Sequence, residues 1–255
     1  MLAIEHLQKT YGQSTVPALA DLNLEVEPGE LVSLLGPSGC GKTTALRIVG
    51  GLLEPSGGHV LIDGRPSIGP SREKAMVFQL FNLFPWRTAE ANVAFGLEAQ
   101  GMKKRQRLQV ARDYLHLVGL ADKAASYPSQ LSGGQNQRLG LARALAIEPK
   151  ILLMDEPFGS LDALTREHLQ AMLQDVCSDR NLTILFVTHS IDEAIFLSDR
   201  IVLMTTPGRV IADHEVKLPR PRTLYDWRAT PIYSELRAQI WEQLQAEQAE
   251  PAESR

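Results

Sequence analysis

A glycine-rich segment, residues 36–44 (GPSGCGKTT), has the composition and spacing of a loop that binds phosphate groups. An apolar stretch with the character of a buried strand leads into it, and a stretch with helical character begins at Lys42. Glycines let backbone N–H groups approach phosphate oxygens, and the start of a helix adds a partial positive charge. The spacing places Lys42 against the β- and γ-phosphates of a nucleotide and makes the Thr43 hydroxyl a Mg²⁺ ligand. An incidental turn is the alternative, but the flanking elements favour the nucleotide.

Two acidic residues, Asp155 and Glu156, come directly after the apolar stretch 151–154. The carboxyl ends of parallel strands form the edge at which α/β sheets bind ligands. We expect Asp155 to hold Mg²⁺ and Glu156, on the other side of the strand, to orient or deprotonate an attacking water. Acids often end strands, so this pair is informative only together with the phosphate loop. The combination predicts nucleotide hydrolysis.

Two further polar residues each follow an apolar stretch, Gln79 after AMVF and His189 after TILFVT. Gln79 is placed to meet both Mg²⁺ and water, and His189 to reach a γ-phosphate. Taken singly, each has a structural alternative, a capping amide for Gln79 and a hydrogen-bonded structural histidine for His189. Their recurrence at the same predicted sheet edge favours a catalytic role for both.

A second glycine pair lies in residues 131–138 (LSGGQNQR), which contain no lysine. Ser132, Gly133 and Gly134 open a predicted helix, so N–H donors and a dipole end would point outward at an anion. The alternative is an ordinary helix start capped by Ser132. That alternative explains the serine but leaves two adjacent glycines without a reason.

The elements that must position these residues alternate between strands and helices. Residues 1–27 alternate like half-buried antiparallel strands, and the buried apolar runs that follow, separated by helices, are typical of a mostly parallel α/β sheet. We expect one domain, 1–255, with an α/β core and β subdomain over 1–84 and 150–218. A helical subdomain is inserted at 85–149, and a proline- and arginine-rich extension with a helix covers 219–255.

Composition limits the function classes. Of 255 residues, 44% are hydrophobic and 22% charged, as in ordinary globular proteins, and the formal net charge of −4 gives no reason to expect nucleic acid as a partner. Cys40 and Cys177 are predicted to be free thiols, with Cys40 a tolerated small residue in the phosphate loop. We find neither a signal peptide nor an apolar run near the ~18 residues that span a bilayer. Any membrane role is expected to come through a partner.

Taken in order, these motifs resemble those of the ATP-binding subunits of ABC transporters, and the resemblance covers nearly the whole chain. Walker A is GPSGCGKTT, the Q-loop is VFQ, the signature is LSGGQ, Walker B is LLMDEP, the D-loop is GSLD and the switch histidine ends VTH. The resemblance implies a P-loop NTPase (RecA-like) fold, ATP and Mg²⁺ as cofactors, and ATP hydrolysis. It also implies that two such subunits, identical or different, sandwich two ATP molecules head to tail.

The same resemblance assigns roles residue by residue. Catalysis falls to Glu156, His189 and Gln79, and the metal ligands are Thr43, Gln79 and Asp155. The ATP contacts within the subunit, with Tyr11 stacking on adenine, are Tyr11, Gly36, Pro37, Ser38, Gly39, Cys40, Gly41, Lys42, Thr43 and Thr44. The contacts made in trans to the nucleotide of the other subunit are Ser132, Gly133, Gly134, Gln135 and Asp162.

Around the Q-loop, residues 69–98 resemble the importers of nitrate, sulfonates and taurine, as do PGRV (207–210) and LPRPR (218–222). The resemblance implies a membrane permease as partner, peripheral attachment at the cytoplasmic face of the inner or plasma membrane, and indirect coupling to a solute-binding protein. Phe84, Pro85 and Trp86 are candidate permease contacts, with packing of the helical subdomain as the alternative. Bicarbonate and pyrimidine precursors stay open as solutes.

Two other classes of P-loop protein fit the sequence less well. A soluble ABC ATPase of DNA repair or translation usually carries a long coiled coil or two cassettes, and this chain has neither long heptads nor a second P-loop. A P-loop kinase or GTPase switch would leave LSGGQ without a role. The transporter subunit is therefore the leading hypothesis.

Overall fold

The computed structural model describes residues 1–12, 14–159, 161–222 and 226–249. In this part of the chain the strands are β1 Leu2–Lys9, β2 Leu19–Val26, β3 Leu31–Leu35, β4 Gly57–Ile62, β5 Arg65–Pro66, β6 Lys74–Val77, β7 Ile151–Asp155, β8 Thr183–Thr188, β9 Arg200–Thr205 and β10 Arg209–Glu215. The α-helices are α1 Lys42–Val49, α2 Ala89–Ala99, α3 Lys104–Leu117, α4 Gly133–Leu145, α5 Ala163–Arg180, α6 Ile191–Leu197 and α7 Pro231–Ala249. Short 3₁₀ turns occur at Ala121–Lys123, Pro128–Gln130 and Trp227–Ala229.

The chain forms two compact units, Met1–Pro70 with Cys177–Arg255, and Ser71–Val176. We call them unit 1 and unit 2. The three-part division expected from the sequence stays a prediction. Within the described ranges, none of the helices combines the length and apolar character needed to cross a bilayer.

Unit 1 contains an antiparallel sheet in the order β2-β1-β4-β5. Its central strand β1 pairs with both neighbours through Leu2, which lies opposite Val26 on β2 and Ile62 on β4. Leu2, Ala3, Ile4 and Leu7 of β1 are buried, while Glu5, His6 and Gln8 are exposed. The half-buried alternation predicted from the sequence is therefore present, and this sheet is the antiparallel β portion.

A second sheet of unit 1 carries the phosphate loop. Strand β3 lies between β8 and β9 and is parallel to both, and β10 is antiparallel to β9. All five residues of β3 are buried, as expected of a strand covered on both faces. The chain leaves β3 at Leu35, passes through residues 36–41 and enters α1, which is the predicted order of strand, loop and helix.

Two elements of unit 1 were not predicted from the sequence. Helix α6 has only seven residues, too few for a clear helical period, and it begins two residues after His189. Strand β10 has mostly exposed or half-buried residues, so its apolar alternation is weak. Both depend on tertiary pairing rather than on local sequence pattern.

Unit 2 contains the parallel pair β6 and β7 together with a helical layer of α2, α3 and α4. Of the predicted α3 stripe, Ala111 and Leu115 are fully buried. On α5, Leu169 and Leu173 are buried likewise. The helical stripes predicted from the sequence thus face the interior.

Candidate functional site

The phosphate loop depends on two glycines that no other residue can replace without displacing backbone. A Cβ atom on Gly36 would lie 2.2 Å from the carbonyl oxygen of Met204. Gly41 has φ 96°, in the left-handed region, and its Cβ would lie 2.4 Å from the carbonyl oxygen of Ala18. Close packing on strands β2 and β9 therefore fixes the path of this loop.

Lys42 points its ammonium into the loop. Its Nζ donates to the carbonyl oxygens of Gly36 at 2.7 Å and Pro37 at 2.8 Å, and lies 3.7 Å from Sγ of Cys40. Burial raises the pKa of the Cys40 thiol, although the charge of Lys42 opposes this. A thiol that stays protonated at neutral pH is a poor nucleophile, in keeping with the expectation that Cys40 is a tolerated small residue in this loop.

Tyr11 lies beside the same loop. Its hydroxyl is 3.2 Å from Oγ1 of Thr44, on the first turn of α1. Lys9 holds its Nζ 5.4 Å from the centre of the Tyr11 ring, and the tyrosine is 47% exposed. The structure therefore places an accessible aromatic ring next to the loop, as stacking on a base requires.

His189 shares a cavity with the phosphate loop in unit 1. The cavity has a volume of about 550 Å³. His189 follows β8 and is exposed. The other residues that line the cavity are Leu35, Gly36, Pro37, Ser38, Ser190, Ile191, Asp192, Arg237, Trp241, Leu244 and Gln245. The structure thus brings together the histidine and the loop, as predicted, and adds residues of α7 that the sequence did not indicate.

Unit 2 brings together the polar residues that follow β6 and β7. The register pairs Val77 with Met154, so Gln79 and Glu156, each two residues further on, lie at the same edge. Asp155 ends β7 and is buried, while Glu156 is half-buried. Glu156 has φ 45°, a left-handed conformation that costs a non-glycine residue free energy. Such strain is common at functional sites, and no feature of the sequence predicted it.

Ser132 is the N-cap of α4. Its Oγ accepts from the backbone N–H of Gln135 at 3.3 Å, and the Gln135 side chain accepts from the backbone N–H of Ser132 at 2.9 Å. Gly134 lies against Thr165, since an added Cβ would be 2.4 Å from Thr165 Cγ2, whereas a Cβ on Gly133 would meet nothing within 4 Å. Capping therefore explains the serine and packing explains the second glycine. The first glycine has no packing reason.

Asp162 caps the helix that carries Thr165. The Asp162 carboxylate accepts from the backbone N–H of Thr165 at 3.0 Å, and hydrogen bonds from Thr165 lower the pKa of Asp162. The contact of Thr165 with Gly134 brings the LSGGQ and GSLD segments together within unit 2. Ser160 of the GSLD segment lies outside the described residues.

Comparisons with known proteins identify the family of this chain. A family model described as ABC transporter matches residues 19–159. The taurine import ATP-binding protein TauB of Shigella boydii is 47% identical over 212 residues, which cover 83% of this chain and 82% of that protein. The chain belongs to the ABC transporter family.

Other matches support the same family. The nitrate import ATP-binding protein NrtC and the bicarbonate transport ATP-binding protein CmpC of Synechococcus elongatus are each 42% identical over 246 residues. Those residues cover 94% of this chain but only 37% of each of those proteins. A dimeric ATP-binding cassette solved in a post-hydrolysis state with ADP and Pi is 35% identical, with a TM-score of 0.77 over 86% of this chain and 100% of that one.

As an ABC cassette, the chain is an ATP-binding subunit of the transporter family and an ATP hydrolase. The expected family, fold class and enzyme class are confirmed. The roles of individual site residues stay predictions.

The loop after Gln79 contains the candidate permease contacts. The Phe84 ring lies 4.5 Å from Phe95 and 5.6 Å from Trp86 between ring centres. Trp86 is 72% exposed and Pro85 is also exposed, whereas Phe84 is half-buried. Phe84 therefore has a packing role in unit 2, while its two neighbours present an accessible surface.

Two residues that hold this loop were missed by sequence analysis. Asn92 is fully buried on α2, accepts from the Phe84 backbone N–H at 2.8 Å and donates to the carbonyl oxygen of Arg87 at 3.0 Å. Arg143 on α4 donates to the carbonyl oxygens of Asn82 at 2.6 Å and Phe81 at 3.1 Å. A buried asparagine on an apolar helix face is the signal that could have indicated the first of them.

Proposed function

We propose that this chain is the ATP-hydrolysing subunit of an ABC importer, which closes on ATP with a second cassette and so drives uptake of a small solute through a membrane permease. The observation that carries the proposal is the start of α4. Ser132 caps that helix, and Gly133 beside it has open space around its Cα. Such a helix start suits the γ-phosphate of a nucleotide that is bound to another subunit. No lysine is needed here, because the phosphate loop of that other subunit supplies one.

Within the subunit, the roles follow from the chemistry of each group. Lys42, held by two carbonyl oxygens of its own loop, neutralises the β- and γ-phosphates. Tyr11 provides the ring on which adenine stacks. Glu156 orients or deprotonates the attacking water, with His189 at the γ-phosphate.

We infer Mg²⁺ as the metal ion from the chemistry of its three proposed ligands. Thr43, Gln79 and Asp155 offer a hydroxyl, an amide oxygen and a carboxylate, which are the hard oxygen ligands that this ion takes alongside nucleotide phosphates. When bound, the ion neutralises charge on the β- and γ-phosphates. The buried Asp155 carboxylate at the end of β7 supports this assignment.

The proposed solute is nitrate, a sulfonate or taurine, because TauB and NrtC carry those functions in their names. Bicarbonate, the solute in the name of CmpC, and pyrimidine precursors are the alternatives. Trp86 and Pro85 are the proposed permease contacts, and the half-buried Phe84 packs its ring against Trp86. The subunit is then attached peripherally at the cytoplasmic face of the membrane, and a solute-binding protein acts on it only through the permease.

The catalytic assignment is tested with Glu156→Gln in the purified full chain. We expect the variant to bind ATP with the affinity of the parent, to lose nearly all hydrolysis and to accumulate as an ATP-dependent dimer measured by light scattering. Glu54→Gln, a change of the same kind at an exposed position outside every motif, is the control and should hydrolyse normally. A Glu156→Gln variant that stays monomeric with normal turnover would contradict the assignment.

The solute is tested in the intact complex with its permease and binding protein. ATP hydrolysis is measured as nitrate, taurine, an alkanesulfonate, bicarbonate and a pyrimidine precursor are added in turn. The proposal expects stimulation by nitrate, taurine or the alkanesulfonate, and stimulation by bicarbonate alone would favour that alternative. Stimulation by the pyrimidine precursor alone would overturn the solute class, and the absence of any co-purifying permease would favour a soluble ABC ATPase instead.

A further inference from the structure

The LPRPR motif and the helix that follows it have no role in the proposed ATPase cycle, yet their contacts converge on α6. This helix begins immediately after the segment that carries His189. The contacts described below all lie within unit 1. They indicate how the C-terminal segment and the histidine are connected.

His189 is fixed through its two neighbours. The Thr188 hydroxyl donates to the Glu193 carboxylate at 2.6 Å and accepts from the backbone N–H of Ser190 at 3.0 Å. Ser190 caps α6 by accepting from the backbone N–H of Glu193 at 3.3 Å. Because both flanking residues are tied to the first turn of α6, the backbone at His189 must follow any movement of that helix.

The carboxyl end of α6 is held by the LPRPR motif. Arg222 is 1% exposed, and one of its guanidinium nitrogens donates to the carbonyl oxygens of Ile195, Phe196 and Ser198, each at 2.8 Å. Arg220 donates to the carbonyl oxygen of Leu197 at 2.7 Å. The last carbonyl groups of a helix have no partner within it, so two arginines here satisfy them and complement the helix dipole.

The first turn of α6 is held by α7. The Tyr233 hydroxyl donates to Oδ1 of Asp192 at 2.9 Å, and Nε of Arg237 donates to the same oxygen at 3.3 Å. Trp227, which is 6% exposed, packs its ring 5.2 Å from Phe196 and 5.0 Å from Tyr233 between centres. The Asp192–Arg237 pair is half-exposed and contributes little stability by itself, so the hydrogen bond and the aromatic contacts carry most of this attachment.

We propose that the C-terminal segment, residues 218–222 and 226–245, positions His189 by holding α6 at both ends, with Arg222, Tyr233 and Arg237 as positioning residues. Helix α7 also reaches the phosphate loop, since Arg237 and Trp241 line the same cavity as Ser38 and His189. A displacement of α7 is therefore transmitted to the histidine and changes turnover more than nucleotide affinity. This inference rests on the role assigned to His189 in the proposed function.

The test uses the full chain with Tyr233→Phe and Arg237→Met combined, because phenylalanine keeps the ring against Trp227 while both donors to Asp192 are lost. Glu235→Gln, an exposed change on the same helix, is the matched control. We expect kcat for ATP to fall about tenfold, less than the roughly hundredfold that a misplacement of about 1 Å can cost. The KM for ATP, the melting temperature and the Kd of a fluorescent ATP analogue should change little.

A second readout follows the histidine itself. The imidazole C–H resonance of His189, assigned by its loss in His189→Gln, should shift in the double variant and stay in place in Glu235→Gln. An unshifted resonance, or a loss of affinity in proportion to the loss of turnover, would overturn the positioning role. Full turnover in His189→Gln would instead refute the catalytic role of the histidine, while the resonance would still report whether α7 positions it.

Discussion

Thr165 lies so close to Gly134 that a Cβ atom on the glycine would be 2.4 Å from Thr165 Cγ2. The same threonine donates hydrogen bonds to Asp162, so it cannot rotate away from the glycine without losing its side-chain bond to that carboxylate. The start of α4 and the start of α5 thus pack against each other at a single methyl group, Cγ2 of Thr165. A signature glycine has a packing reason in addition to any contact with phosphate.

The first prediction concerns this contact. Gly134→Ala should lower the free energy of unfolding by about 1–3 kcal/mol, the usual cost of overpacking, whereas Gly133→Ala should change it by less than about 0.5 kcal/mol. Urea denaturation measures both. Adding Thr165→Ser to Gly134→Ala removes the obstructing methyl group, keeps the hydroxyl and should restore most of the lost stability. Equal stability of the two alanine variants would contradict the packing argument.

Ser132 combines a capping role with a proposed contact in trans, and two substitutions separate them. Ser132→Ala should cost about 1 kcal/mol of unfolding free energy because the cap is lost, while Ser132→Asp keeps a capping oxygen and should be nearly as stable as the parent. The aspartate places a negative charge where the partner's γ-phosphate is proposed to bind, so hydrolysis should fall at least about tenfold. Normal hydrolysis by Ser132→Asp would leave the serine with its capping role alone.

Tyr11 is predicted to act through its ring and not through its hydroxyl. Removing the ring in Tyr11→Ala should raise the Kd of ATP about tenfold, as expected from the loss of one base-stacking contact. Tyr11→Phe keeps the ring, loses only the contact with Thr44 and should bind ATP within about twofold of the parent. Calorimetric titration checks both, and a phenylalanine variant as weak as the alanine variant would show that the hydroxyl matters instead.

Cys177 should make the stability of the chain depend on alkaline pH. Burial raises the pKa of its thiol to about 12, so the folded state keeps a proton that the unfolded chain releases near its ordinary pKa of about 8.5. The contribution is complete below that lower value and is lost as pH rises toward the folded value, by up to about 1.4 kcal/mol per pH unit. The unfolding free energy of the parent should therefore fall more steeply between pH 8.5 and 10, measured in urea, than that of Cys177→Ala.

Leu169→Ala, at a buried position on the same helix, is the control for Cys177 because leucine does not titrate. Its stability difference from the parent should stay constant over this pH range. A constant difference for Cys177→Ala as well would mean that the thiol does not retain its proton in the folded chain.

Much of the site followed from the sequence because its motifs are local. The strand, loop and helix around Lys42 and the acids at the end of β7 are specified by adjacent residues with strong apolar runs beside them. The contacts of Arg222 could not be predicted in the same way, since an arginine after a proline gives no indication of which distant carbonyl groups it will contact. Asn92 donates only to carbonyl groups four to eight residues away, and its place on an apolar helix face is the signal that could have indicated it. Helix α6 was not predicted for a related reason, because both of its ends are stabilised by residues far along the chain.

The left-handed backbone conformation of Glu156 lowers the stability of the fold, whereas its carboxylate is proposed to be needed for catalysis. Glycine or asparagine would adopt its φ of 45° at lower cost, so a library selected only for resistance to heat should accumulate those residues at this position. Such variants would be more resistant to heat. On the role proposed for the Glu156 carboxylate, they would not hydrolyse ATP. Directed evolution of a more robust cassette therefore needs a turnover screen at every round, because the selected trait and the useful one diverge at this residue.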